Sequence, residues 1–134
     1  AVDAARDCCA LPVLTAMTFT AKKRTWLGTR LEDYAKLVNE LRPDAAGLNC
    51  TLTPGEMLPV LRDFRSLLKE GIPLFAEPNR GAPDVNKTPP VYDMSAEEFA
   101  RGVLELYRDG TRIIGGCCGS DSECMRLIGE GMGK

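Results

Sequence analysis

Gly115-Gly116-Cys117-Cys118-Gly119 sets two adjacent thiols among three glycines, directly after the apolar pair Ile113-Ile114. Neighbouring side chains on a strand point to opposite faces, so both sulfurs reach one point only where the backbone bends between them. Glycine permits such bends. Two thiols aimed together suit a soft metal ion. A third thiol, Cys50, ends the run Gly47-Leu48-Asn49-Cys50, and a further run ends Glu77-Pro78-Asn79. The chain has six cysteines and no histidine. Ser-His-Asp and Cys-His schemes of nucleophilic catalysis are therefore excluded. A tight transition-metal site must rest mainly on thiolate. Cys8 and Cys9 fall on an Ala-rich leading helix and read as structural, and Cys124 falls on the apolar face of the last helix. That leaves Cys50, Cys117 and Cys118. Three thiolates with a fourth position open are the pattern of a catalytic rather than a structural zinc site.

The elements that must position these thiols alternate along the chain. Four segments fit the capping pattern S/T-x-x-E: Thr29–Glu32, Thr53–Glu56, Ser95–Glu98 and Ser120–Glu123. In that pattern a hydroxyl and a carboxylate satisfy the free amides of a helix start. Pro54 stands at a first helical position, where proline is favoured. Apolar faces follow each cap: Leu31, Tyr34, Val38 and Leu41; Met57, Val60, Leu61 and Phe64; Phe99, Val103, Leu104 and Tyr107; Cys124, Leu127 and Ile128. Before each helix lies a short apolar run, at 11–19, 45–50, 73–78 and 112–118. The expected fold class is α/β, a parallel (βα)4 sheet covered by helices. Eight such elements make a small open sheet or half of an eight-stranded barrel. The connection 80–94 is out of proportion and rich in proline. It leaves the edge of the sheet where parallel α/β folds place their sites, and reads as a functional loop.

At 134 residues the chain is expected to be a single domain, 1–134. It begins at Ala1, which suggests a fragment of something longer. A net charge of −2 and a pI near 5.2 argue against nucleic acid or an anionic membrane as the main partner. No apolar run approaches the length of a membrane span. Six cysteines raise the question of a disulfide framework. The vicinal pairs Cys8-Cys9 and Cys117-Cys118 and the strong helix signals speak against it, and a reduced, cytoplasmic setting is expected.

GLNC at 47–50, EPNRG at 77–81 and GGCCG at 115–119, in this order and spacing, resemble the zinc-dependent homocysteine S-methyltransferases. That family includes the homocysteine-binding domain of cobalamin-dependent methionine synthases. Met17-Thr18-Phe19 and Tyr92 also resemble family positions. The resemblance spans essentially the whole chain. It implies a C-terminal fragment carrying strands five to eight of a TIM (β/α)8 barrel. It implies zinc held by Cys50, Cys117 and Cys118, with Asn79 beside the metal and able to take its fourth position. Substrate contacts are implied at Asn49, Asn79 and Thr18. The implied reaction transfers a methyl group to a zinc-activated homocysteine thiolate, giving methionine. The donor is left open among methylcobalamin, S-methylmethionine, S-adenosylmethionine and betaine. A methylcobalamin or methyltetrahydrofolate route would place cobalamin on a partner domain or protein. Arg80 departs from the family, which usually has alanine there, and brings a cation near the site. Ser120 stands where threonine is usual. The absent first half of the barrel would be a partner, with self-association as the substitute, because an uncovered parallel edge is a template for pairing.

A second class of function is a non-enzymatic zinc-binding or thiol-redox module. It calls for a closed four-ligand metal site or reversible Cys117–Cys118 chemistry. A transferase calls instead for an exchangeable position that the homocysteine sulfur can fill.

Overall fold

The computed structural model describes residues 1–133. Eleven elements follow one another: α1 (Val2–Cys8), β1 (Leu14–Met17), α2 (Leu31–Leu41), β2 (Ala45–Asn49), α3 (Pro54–Leu67), β3 (Leu74–Glu77), β4 (Pro83–Asp84), β5 (Val91–Tyr92), α4 (Ala96–Arg108), β6 (Ile113–Ile114) and α5 (Ser122–Gly131). β1, β2, β3 and β6 form one sheet in that order, every pair parallel. Consecutive order with helical crossovers is what the alternating pattern calls for.

Helices α2, α3 and α4 cover one face. Ala46 and Leu48 of β2 and Leu74 and Ala76 of β3 pack there against Tyr34, Val38, Val60, Leu61, Phe64 and Leu106. Tyr34 stacks on Phe64 with ring centroids 5.0 Å apart, and its hydroxyl donates to the Thr15 carbonyl at 2.9 Å. A second cluster joins α4 to α5 through Phe99, Ala100, Val103, Cys124 and Ile128, with Ile114 of β6 against it. The other face of the sheet carries Leu14, Gly47, Phe75 and Ile113 by strand alternation. Phe75 lies close over Gly47, where a Cβ would come within 2.7 Å of its ring.

Four expectations about the frame are corrected. Thr29 does not cap α2. The N-cap is Arg30, whose amide donates to Asp33 Oδ2 at 3.3 Å, while Glu32 takes the Arg30 guanidinium. Ser120 does not cap α5 either. Asp121 does, accepting from the Cys124 amide at 3.0 Å. The boxes at Thr53 and Ser95 are present in full. Further, 80–94 is not bare loop, because β4 and β5 pair antiparallel within it, Pro83 opposite Tyr92 and Asp84 opposite Val91. The apolar runs 11–19 and 112–118 also overstate the strands, which are four and two residues long. Beyond Ile114 the backbone still bonds to β3 and its extension, Gly115 N to Ala76 O and Cys117 N to Pro78 O.

Candidate metal centre

Three loops leave the C-terminal ends of β2, β3 and β6 and meet over that corner of the sheet. The first turns at once. Cys50 and Thr51 both adopt left-handed backbone, at φ 60° and 59°. The Leu52 amide donates back to the Cys50 carbonyl at 2.6 Å, closing a three-residue turn about Thr51. Tight turns of this hand are strained, and for a β-branched residue the conformation is an outlier. Such strain costs about 1–3 kcal/mol at each residue and persists where the surroundings hold it. Here it aims the Thr51 amide at the sulfur of Cys50 and the sulfur toward β6.

The second loop supplies Asn79. Its amide donates to the Leu52 carbonyl at 2.8 Å, and its Oδ1 accepts from the Cys118 amide at 3.1 Å. Asn79 thus straps the two thiol-bearing loops together. In this arrangement its oxygen is engaged by backbone, and its side chain also hydrogen-bonds the Cys50 thiol. Arg80 follows. Its amide donates to the Cys118 carbonyl at 2.9 Å, and its guanidinium reaches Asp121 Oδ2 at 2.9 Å and the Met94 carbonyl at 2.8 Å. The cation at Arg80 is therefore committed to Asp121 and to the end of the β4–β5 segment rather than to the thiols.

The third loop holds Cys117 and Cys118. The Ser120 hydroxyl, free of the capping role expected of it, donates to the Cys117 carbonyl at 2.7 Å. Gly116 is required by that contact, since a Cβ there would lie 2.5 Å from Ser120 Oγ. Gly119, at φ +82°, is required twice over. Its backbone is left-handed, and a Cβ would lie 2.5 Å from the Tyr92 ring. The β4–β5 segment thus lies on the glycine-cysteine loop through Tyr92, over the edge of the sheet that carries the thiols.

The outcome is a cluster. Cys50 Sγ is 3.7 Å from Cys118 Sγ, and Cys117 Sγ is 3.9 Å from Cys118 Sγ. All three sulfurs lie within 4.8 Å of one another. Their ionisation is uneven. Burial opposes the charge on Cys50. The Thr51 amide and hydrogen bonds from Cys117, Cys118 and Asn79 outweigh it and hold this thiol below its ordinary range. Cys117 is pushed up to about 12, first by burial, then by its hydrogen bond to Cys50 and the charge there, with Cys118 adding to both. Three sulfurs this close together are a donor set from which a soft cation displaces protons. Three convergent sulfur donors, two of them half-buried and one exposed, fit zinc with a side open to a ligand. A cleft of about 370 Å³ adjoins them, walled by Thr51, Asn79, Gly81 and Asp93.

Of the other residues expected at the site, Thr18 and Asn49 meet each other one level below the sulfurs, the Thr18 hydroxyl donating to Asn49 Oδ1 at 3.0 Å. Cys124 is fully buried in the α4–α5 core, and Cys8 and Cys9 are exposed on the end of α1, away from the cluster. The parts that the spacing did not reveal are the strained Thr51, the Ser120 strap and the Arg80–Asp121 bond. Of these, Ser120 was singled out in the sequence as the hydroxyl of an expected cap, and Arg80 as a cation near the site.

The chain as a whole is similar to known proteins. The chain is 26% identical over 125 residues to a methionine synthase of Mycobacterium leprae, a match covering 92% of the chain and 10% of that protein. It is 29% identical over 119 residues to a methionine synthase of Mycobacterium tuberculosis, covering 88% of the chain and again 10% of the relative. The chain thus spans only a small part of the length of these relatives. Residues 1–131 match the family described as homocysteine S-methyltransferase, nearly the whole sequence, and the chain belongs to that family.

Proposed function

We propose that this chain is the metal-bearing half of a homocysteine S-methyltransferase module, a part of a TIM barrel that carries its last four strands. The observation behind the reading is the convergence of Cys50, Cys117 and Cys118, from two strand ends, within 4.8 Å. These residues would hold zinc. Bound there, zinc supplies a Lewis acid that keeps a substrate thiol deprotonated near neutral pH. The chain's own groups do the rest. Three thiolates offset the charge of a divalent cation and leave an excess of one negative charge, so a sulfur added at the open side stays electron-rich. Asn79 holds the Cys50 and Cys118 loops at fixed separation. Thr18 and Asn49 form a polar floor from which a substrate's amino-acid group is oriented, placing its sulfur for in-line attack on a methyl group. The donor arrives from elsewhere, on another domain or protein, a corrinoid among the candidates.

The direct test is zinc X-ray absorption on the loaded protein with and without homocysteine. The expected result is three sulfur neighbours alone and four with homocysteine. A first shell that already holds four protein ligands and does not change would favour a structural or redox role and defeat the transferase reading.

A further inference from the structure

Among the described residues, the Glu77 carboxylate on the thiol side of the sheet has no side-chain partner. The strand registers set Thr18, Asn49, Glu77 and Gly115 in a transverse row on the open face. Asn49 pairs with Glu77, Thr18 follows the pair Met17–Leu48, and Gly115 follows the pair Ala76–Ile114. Thr18 and Asn49 satisfy each other. Gly115 has no side chain, and a Cβ built there would lie 3.5 Å from Glu77 Cγ and 3.8 Å from Oε1. The Glu77 side chain therefore lies across the glycine that opens the Gly-Gly-Cys-Cys-Gly loop. It is exposed, and among the described residues no side chain donates to it or pairs with it.

An exposed carboxylate is usually just solvated. This one differs in its place. Its own carbonyl accepts from the Cys50 amide at 2.8 Å, so its row lies directly below the first thiol. The step from that row to the level of Cys50 is one strand residue, about 3.3 Å. In an amino-acid thiol such as homocysteine the amine is four bonds from the sulfur, a reach of about 5 Å. A sulfur held at the cluster thus brings the amine to the height of the row. Beside the paired Thr18 hydroxyl and Asn49 carboxamide, the row offers one full negative charge.

We propose that Glu77 binds the α-ammonium group of the substrate and makes the site select an amino-acid thiol over the same thiol without its amine. The proposal rests on the transferase reading above. A charge-assisted hydrogen bond from ammonium to carboxylate supplies the preference. A site built to pair with a polar group discriminates against analogues that lack it, because its own group is then left unpaired.

The experiment compares homocysteine with 4-mercaptobutanoate, which keeps the thiol and carboxylate and lacks the amine. Binding of each is measured by calorimetry on the zinc-loaded chain completed by the first half of its module, with the chain unchanged or carrying Glu77→Gln. The unchanged protein is expected to prefer homocysteine by about tenfold or more. Glu77→Gln is expected to lose most of that preference by weakening homocysteine alone, with zinc content and 4-mercaptobutanoate affinity unchanged. A preference that survives in Glu77→Gln, or an equal weakening of both thiols, would overturn the assignment while leaving the transferase reading intact. Failure of either thiol to bind the unchanged loaded protein would overturn both.

Discussion

At the corner where β2, β3 and β6 end, each loop is tied to its neighbour. Along β1 the sheet stops at apolar side chains open to solvent. Asn79 joins Leu52 to Cys118, Arg80 joins Cys118 to Asp121, and Tyr92 rests on Gly119. On the other flank Leu14 is 45% exposed and Leu37 46%, and an apolar groove of about 160 Å³ runs between α1, β1 and α2. Ile113, 43% exposed, adds to the uncovered face. The contrast separates two requirements. The thiol geometry is set by three loops that lie within the chain. The β1 flank, by contrast, leaves its apolar side chains uncovered within the chain.

The largest effect that tests this contrast is loss of the metal. Cys118 has both other sulfurs within 4 Å, whereas Cys124 is buried away from them among Phe99, Val103 and Ile128. Cys118→Ser is expected to abolish tight zinc binding, measured by competition with a chromophoric chelator. Cys124→Ser is expected to keep it and to lose only about 1 kcal/mol or so of stability from an imperfectly satisfied hydroxyl. Loss of zinc in Cys124→Ser with retention in Cys118→Ser would reassign the site.

Next in size is the uncovered flank. Parallel edges with apolar flanks pair with whatever fits them. The isolated chain is expected to self-associate in analytical ultracentrifugation at micromolar concentration, or to bind a separately supplied first half of the proposed barrel. Leu14→Lys with Leu37→Lys, at the exposed flank, should shift the chain toward monomer without changing zinc content. A chain that sediments as a monomer at high concentration would show that the β1 flank needs no cover. Because the thiol corner is tied internally, the two properties should vary independently.

The contrast also explains which parts of the molecule were legible in its sequence. The three thiols stood out because strand ends converge in a parallel sheet and because no histidine offered another ligand. The helix starts at Thr53 and Ser95 were readable because no rival cap adjoins either. At Ser120 the neighbouring Asp121 outcompetes the hydroxyl: its carboxylate serves the Cys124 amide and Arg80 at once, and Ser120 turns instead to the Cys117 carbonyl. At Thr29 the helix begins one residue later, because Asp33 rather than Glu32 closes back on the entry amide. Strands of two residues, such as β4 and β5, carry no alternation to detect. Nor does any pattern announce a left-handed threonine, since its cause is the three-dimensional demand of the neighbouring loops.

That threonine gives the smallest and sharpest test. If the left-handed backbone at Cys50 and Thr51 is strain imposed to aim a sulfur, relieving it at Thr51 should stabilise the fold. Glycine adopts positive φ freely and keeps the amide that faces Cys50. Against this, glycine raises the entropy of the unfolded chain by about 0.4–1 kcal/mol. The left-handed penalty removed is about 1–2 kcal/mol per residue. The difference favours Thr51→Gly by roughly 0.5–1 kcal/mol, seen as a raised urea midpoint at unchanged slope. Zinc affinity should hold, because the donor amide and the sulfur direction are preserved. Thr51→Ala relieves no positive-φ strain to speak of and lacks the compensating freedom, so it should not raise the midpoint. If glycine lowered stability instead, the turn would be held by contacts of the threonine side chain. The Cys50 sulfur would then owe its direction to packing rather than to a backbone strained by the loops around it.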